Sequence, residues 1–167
     1  MAARRPLPFD PIERATELWS ERIGPPDTMA AVTSLMRVHQ IVLAAVEPAL
    51  RPLGLTFARY EALVLLSFSR RGNLPMRVMG ERLQLHPTSV TNIVDRLEAD
   101  HLVQRTPHPT DGRTTLVGIT DAGRAKLELA TKAVTGVEFG LVGLAVEQQR
   151  ELTRLLTSVR RAAGDFG

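Results

Sequence analysis

Apolar side chains recur at helical spacing through most of the chain and divide it into seven predicted helices. Proline or a short polar residue precedes several of them, as is typical of helix starts. Between the fifth and sixth helices the pattern alternates instead, which predicts two strands, Leu102–Thr106 and Thr114–Ile119. The predicted helices cover about residues 10–24, 27–50, 57–70, 75–83, 87–99, 120–144 and 146–164.

Some details of these helices are specific enough to compare with a structure. Asp27 or Thr28 is predicted to cap the long second helix, and Pro48 to kink or weaken its last turn. In the sixth helix Gly136 and Gly140 lie four residues apart, which favours either close approach of another helix or a bend at that point.

The order of the elements predicts a winged helix-turn-helix, in a mainly α fold with a small β-hairpin wing. The long helices at both ends carry more apolar surface than one small domain covers, which favours a homodimer with a helical dimerisation region. We therefore expect an N-terminal extension with a short helix over 1–27 and a DNA-binding domain over 55–119. The dimerisation region is expected to combine residues 28–54 and 120–167.

The segment HPTSVTNIVDRLEADH, residues 86–101, separates its side chains onto two helical faces. One face is an apolar stripe at i, i+3, i+4 and i+7, and the other carries small hydroxyls, an amide, an aspartate (Asp95) and an arginine. Such groups can contact base edges and phosphates of double-stranded DNA, whereas an ordinary solvated helix face favours Glu and Lys. The stripe is Val90, Ile93, Val94 and Leu97, and the predicted DNA contacts are Thr88, Ser89, Thr91, Asn92 and Arg96.

The hairpin that follows carries Asp-Gly-Arg at its tip. Arg113 is predicted to enter the minor groove, and Asp111 to hold its guanidinium in an ion pair before DNA arrives. Arg105, His108 and Thr114 are predicted to contact the DNA backbone along the same edge. The alternative is an ordinary Asp-Gly hairpin turn with incidental charges.

Composition narrows the function classes. The net charge is only +3, but 19 of the 21 basic residues are Arg, and the two lysines are Lys126 and Lys132. This bias toward Arg fits either phosphate recognition or a general preference for Arg on the surface. The chain has no cysteine, no secretory signal pattern, and no uninterrupted apolar run longer than IVLAAV at 41–46. We therefore expect a soluble cytoplasmic protein without a membrane span.

The stretches LTFARYEALVLL and MGERLQLHPTSVTNIVDRLEADHLVQRTPHPTDGRTTLVGITDAGR resemble the MarR family of bacterial transcriptional regulators. The resemblance covers about residues 28–163. It implies an obligate homodimer that binds a pseudo-palindromic operator, usually as a repressor. It also implies a small effector, commonly a phenolic or other aromatic acid, that releases the DNA.

The same resemblance suggests where an effector would bind. The family's cysteine-based peroxide sensing is excluded, because Val32 stands near that cysteine position and the chain has no thiol. A urate-binding branch pairs a Trp, an acid and an Arg. Trp19 and Glu61 could fill the first two roles, but Ile93 occupies the third, so Trp19 is better interpreted as a packing residue. The candidate ligand-binding residues are Trp19, Met36, His39, Tyr60, Glu61 and Phe68.

An enzyme is not predicted. The four histidines lack metal-ligand spacing, no phosphate-binding loop or nucleophile elbow occurs, and no cofactor or metal is expected. The remaining alternative is a winged helix that binds other proteins and has no operator of its own. A polar, Glu-poor recognition face and an arginine-tipped wing would have no purpose in that alternative.

Overall fold

The structure, a computed structural model, describes residues 7–167, and the first six residues of the predicted N-terminal extension lie outside that range. Helices predominate and enclose a small sheet. The helices are α1 (Pro11–Arg22), α2 (Asp27–Leu50), α3 (Phe57–Ser67), α4 (Met76–Leu83), α5 (Pro87–Ala99), α6 (Asp121–Gly136) and α7 (Val146–Ala162). The strands are β1 (Asn73–Pro75), β2 (Val103–Pro107) and β3 (Thr115–Ile119), and 3₁₀ turns occupy Arg51–Leu53 and Glu138–Gly140.

The start of α2 differs from the prediction. Pro26 is its N-cap residue, and no side chain caps the helix, so the predicted cap at Asp27 or Thr28 is wrong. The reason is that Pro26 already has dihedral angles close to helical ones, φ −92° and ψ −10°, so the cap position falls one residue before Asp27. Pro48 does not end α2, which continues to Leu50 and leads into the first 3₁₀ turn.

The sheet has three strands in the order β1-β3-β2, all antiparallel, where the sequence predicts only the two strands of the hairpin. Leu74 of β1 pairs with Val117 of β3, and Arg105 of β2 pairs with Val117 from the other side. β1 escapes prediction because it is three residues long and ends in a proline, a residue that removes a backbone donor and marks sheet edges.

The predicted sixth helix is eight residues too long. α6 ends at Gly136, and the chain then takes left-handed backbone angles at Glu138, Phe139 and Gly140. Gly140 lies against α2, where a Cβ atom would be 2.9 Å from the Cα of Val42. Gly140 therefore allows close approach to α2, but from a 3₁₀ turn outside α6, and the alternative of a bend agrees with the break in the helix after Gly136, where a Cβ would meet open space.

One core joins the C-terminal half of α2 to α3, α4, α5, α6 and the sheet. The apolar stripe predicted for α5 enters it. Val94 and Leu97 are fully buried, Val90 is 2% exposed, and Ile93 is partly buried at the edge. Burying each of these side chains contributes roughly 1.5–3 kcal/mol, so α5 cannot rotate about its axis without a large loss of stability.

Two helices keep apolar faces that their own chain does not cover. In α2, large side chains that include Val32, Leu35 and Met36 are 44–58% exposed. In α7 none of the residues is buried, although Leu155 and Val159 continue an apolar stripe along it. These faces need a partner surface, because contiguous exposed apolar patches of this kind mark interaction sites.

The helical segment Asp27–Leu53, with a mean hydropathy of 1.5, is long and apolar enough to cross a membrane by length and composition, although its longest uninterrupted apolar run is short. Polar residues interrupt its apolar runs, but the mean hydropathy stays as high as that of a membrane-spanning helix. The helix contacts α1, α3, α6 and the 3₁₀ turn at Glu138–Gly140, so it is an integral part of the folded domain.

Truncating Leu97 tests the orientation of α5. Leu97→Ala should lower the free energy of unfolding by ~2–5 kcal/mol, because it leaves a cavity in the core. The exposed neighbour Asn92 provides the control, since Asn92→Ala removes no core contact. Chemical denaturation measures both variants. An unchanged stability for Leu97→Ala would mean that α5 packs through a different face.

Candidate nucleic-acid interface

The face of α5 opposite the core is polar and open to solvent. Thr88, Ser89, Thr91, Asn92 and Arg96 are all exposed; Thr88 and Asn92 lie opposite the buried stripe with Asp95, and the other three flank them. The side chains are short in the first two turns and longer at Arg96. A helix with such a face fits the width of a B-DNA major groove, where short polar groups reach base edges.

A histidine caps the start of α5. The Nδ1 atom of His86 accepts a hydrogen bond from the backbone N–H of Thr88 at 3.3 Å, and Pro87 occupies the first helical position. The hydroxyl of Thr91 donates to the carbonyl oxygen of Pro87 at 3.1 Å, so its oxygen lone pairs remain for an outside donor. His86 is not among the DNA contacts predicted from the sequence.

The tip of the wing is an Asx-type turn, and the predicted ion pair between Asp111 and the Arg113 guanidinium is wrong. The Asp111 carboxylate accepts from the backbone N–H of Arg113 at 3.0 Å and from the Thr114 hydroxyl at 2.7 Å. The bond from the Thr114 hydroxyl lowers the pKa of Asp111 most, and the bond from the Arg113 N–H lowers it further. A short Asp side chain reaches the amide two residues on more readily than the end of a long guanidinium stem. Asp111 therefore shapes the turn that presents Arg113.

His108 closes the same turn from its other side. Its backbone N–H donates to the carbonyl oxygen of Thr114 at 3.0 Å, and its Nδ1 accepts from the backbone N–H of Thr110 at 3.3 Å. His-Pro-Thr thus occurs twice, at 86–88 and 108–110, with the same bond each time. The repeated tripeptide is the sequence signal that could have drawn attention to His86. In both places an Nδ1 acceptor leaves Nε2 as the ring donor.

Arg105 does not project as a free backbone contact, as the sequence analysis predicted. Its guanidinium forms ion pairs with Asp95 at 2.5 Å and with Glu98, and its side chain is only 25% exposed. Glu98 also accepts the backbone N–H of Arg105 at 2.9 Å. The side chain turns toward α5 because two carboxylates on that helix lie beside β2. Arg105 therefore joins the wing to the recognition helix and neutralises its acidic residues.

These bonds give the contact a pH dependence. The backbone and side-chain hydrogen bonds from Arg105 lower the pKa of Glu98 below its ordinary value of 4.5. A carboxyl whose pKa is lowered by folding stabilises the fold at pH values above its unfolded pKa. The stabilisation of the fold by Glu98 is therefore present at neutral pH. It is lost as the pH falls below 4.5 and passes through the lowered pKa of the folded state.

The predicted ligand residues do not converge on one pocket within the described chain. Tyr60 is buried, with its hydroxyl 3.4 Å from that of Thr131 and its ring centroid 6.4 Å from that of Phe139. Glu61 is exposed on α3, although partial desolvation raises its pKa. Trp19 is half-buried on α1. The remaining candidates, Met36, His39 and Phe68, are exposed on α2 and at the end of α3.

Nothing in residues 7–167 resembles a metal centre, since no three His, Asp or Glu side chains gather there. The chemistry that the fold presents is hydrogen bonding and positive charge on one helix face and one hairpin. Together these features define a winged-helix DNA-binding protein.

Comparison with known proteins gives the family. The sequence profile of the MarR family matches residues 53–114. The repressor MdtR of Bacillus subtilis is 32% identical over 95 residues, which are 57% of this chain and 60% of MdtR. Sco5413 of Streptomyces coelicolor, a MarR family regulator of known structure, is 52% identical with a TM-score of 0.77, covering 84% of this chain and 97% of Sco5413. CouR of Rhodococcus jostii RHA1, solved with p-coumaroyl-CoA, is 32% identical with a TM-score of 0.66, covering 75% of this chain and 87% of CouR.

The chain belongs to the MarR family of transcriptional regulators, which are DNA-binding proteins and not enzymes.

The link between β2 and α5 can be tested with two substitutions of the same residue. Arg105→Ala should weaken DNA binding and lower the melting temperature, because it leaves Asp95 and Glu98 unneutralised and frees the wing. Arg105→Lys should recover part of both, since its ammonium keeps the charge but lacks the planar fork whose two ends reach Asp95 and Glu98 separately. Fluorescence anisotropy with labelled DNA and thermal melting measure the two properties. An Arg105→Ala protein that loses DNA affinity with an unchanged melting curve would instead make Arg105 a direct contact.

Proposed function

We propose that this protein is a cytoplasmic transcriptional repressor that binds a pseudo-palindromic operator as a homodimer. The observation that carries the proposal is the fixed orientation of α5, whose apolar stripe is locked in the core while its Thr, Ser and Asn side chains face outward. In this proposal the contacts to bases and phosphates come from Thr88, Ser89, Thr91, Asn92 and Arg96.

The wing supplies the second part of the interface. Arg113 is exposed at the end of a turn that Asp111 and Thr114 hold by hydrogen bonds. A guanidinium on a narrow hairpin can enter the minor groove beside the site of α5. Because Asp111 bonds to the backbone, the turn is ordered before binding while the Arg113 stem adapts to the groove.

The dimer follows from the uncovered apolar faces of α2 and α7. A second copy covers both faces at once if the two chains pack about a two-fold axis, which makes the interface self-complementary. In this arrangement residues 28–54 and 120–167 form the dimerisation region and residues 55–119 the DNA-binding domain. Two copies of α5 then lie about one turn of DNA apart, roughly 10 base pairs, as a palindromic operator requires.

Repression and effector binding rest on the relatives. MdtR is named a repressor, and CouR was solved with p-coumaroyl-CoA, the thioester of a phenolic acid. We propose an aromatic effector that releases the DNA, bound near Tyr60 and Glu61. The remaining candidates, Trp19, Met36, His39 and Phe68, lie on other surfaces and are not part of this proposed site.

A gel mobility-shift assay with DNA from the promoters next to the gene tests the proposal. A sequence-dependent shift with two protomers per site supports it. A chain that is dimeric yet binds none of these fragments better than unrelated DNA would favour the alternative, a winged helix that binds another protein.

Arg113→Ala separates a contact residue from a structural one. The side chain is exposed, so its loss should leave the melting temperature near that of the wild type. Operator binding should weaken by about 1–3 kcal/mol, the usual cost of a groove contact. Thr110→Ala, on the same turn but without a charge, serves as the control. A melting temperature that drops while DNA affinity stays constant would show that the wing is not a DNA contact.

A further inference from the structure

A polar groove runs beside the recognition helix, where α5 meets the start of α3. Its volume is about 570 Å³, and it opens next to the face of α5 that carries the proposed DNA contacts. Two side chains of that face, Asn92 and Arg96, form one of its walls. The residues that line it are Thr56, Arg59, Asn92, Ile93, Asp95 and Arg96.

The charges in this groove do not cancel locally. It contains two arginines and one carboxylate, and that carboxylate, Asp95, is already paired with Arg105 at 2.5 Å. Neither Arg59 nor Arg96 forms an ion pair with any of residues 7–167. A cleft lined by one sign of charge concentrates the potential, so this groove attracts an anion.

Arg59 is held so that part of its guanidinium remains available. It is half-buried, and its Nη1 atom donates to the carbonyl oxygen of Gly54 at 3.1 Å, which fixes the stem against the start of α3. One bond leaves the other donors of the planar fork free for a ligand. A guanidinium restrained in this way loses little entropy when it binds a phosphate.

We infer that this groove binds a phosphate of the DNA backbone beside the site of α5, with Arg59 as a contact that the sequence analysis did not select. The inference rests on the proposed function, because it needs the outer face of α5 to lie in the major groove. DNA is the expected source of the phosphate, since Arg96 and Asn92 belong both to the groove and to the DNA-facing surface. Arg105 contributes by neutralising Asp95, which would otherwise repel the phosphate.

Arg59→Gln is the test variant, because it removes the charge and the guanidinium while keeping a polar side chain on the same stem. Each phosphate contact contributes a slope of about −0.9 to the dependence of log K on log[salt]. A homodimer loses one contact in each protomer, so the slope of the variant should be less steep by the contribution of roughly two contacts. Since phosphate contacts are sequence-independent, affinity for unrelated DNA should fall as well. The control is Arg71→Gln, which removes the same charge from an exposed residue between α3 and β1, outside the groove.

The outcomes separate this inference from the proposed function. If the wild type binds no operator, the proposed function is wrong, and the inference about the groove is wrong as well. If the wild type binds and Arg59→Gln keeps the full salt dependence, the groove is not a backbone contact, while the proposed function stands. If Arg59→Gln lowers the melting temperature, Arg59→Lys tests the role of the charge instead. It keeps the charge and should retain the salt dependence, and a loss there would contradict the inference.

A small anion could exploit the same chemistry, and a separate measurement distinguishes it. Thermal melting in inorganic phosphate against chloride at equal ionic strength reports binding of a free anion. Stabilisation that Arg59→Gln abolishes, combined with an unchanged salt dependence of DNA binding, would assign the groove to a free anion and overturn the DNA assignment. We expect no such stabilisation.

Discussion

The orientation of α5 depends on the burial of Val90, Val94 and Leu97, and the proposed function depends on that orientation. An amphipathic helix packs one face against the core and exposes the other to solvent or a ligand. In α5 the three buried aliphatic side chains determine which face packs against the core. The contacts of α5 with α3, α4 and β2 hold it on three sides. The polar face is therefore a rigid surface, presented before any DNA is bound.

Electrostatics impose a second constraint, because α5, the helix proposed to contact DNA, carries two carboxylates in its C-terminal half. Arg105 pairs with both Asp95 and Glu98 and reaches them from the wing. This one side chain removes the charge that would repel phosphate and couples the two parts of the interface. The positive charge that remains beside α5 comes from Arg96 and Arg59. A regulator with a modest net charge of +3 can thus present a positive surface where it is needed.

Local spacing was sufficient to predict much of this molecule. The stripe at 90, 93, 94 and 97 fixed the buried face of α5, and Pro87 marked its first residue. The failures involve contacts between residues that are distant in sequence or backbone angles that composition does not reveal. Arg105 lies ten residues after Asp95, and only the fold of β2 against α5 brings them together. The end of α6 depends on left-handed angles at Glu138 and Phe139, which are not glycines.

The candidate sites divide in the same way. Residues of the recognition face could be selected from one helix, because helical periodicity alone places them. Arg59 could not, since its groove forms only when α3 and α5 pack. The ligand candidates were suggested by the family resemblance, and the structure distributes them over several surfaces. Met36 and His39 lie on α2, whose exposed apolar face a second copy would cover.

The central claim is that the outer face of α5 contacts DNA, and the absence of cysteine from the chain allows a direct measurement. Ser89→Cys places a single, nearly isosteric thiol on that face, and Arg71→Cys places one outside it. The rate of alkylation by a maleimide is then measured with and without operator DNA. The account predicts that DNA protects the thiol at position 89 in proportion to the fraction bound, and leaves the one at position 71 unaffected. Equal reactivity of the thiol at 89 in free and DNA-bound protein would contradict it.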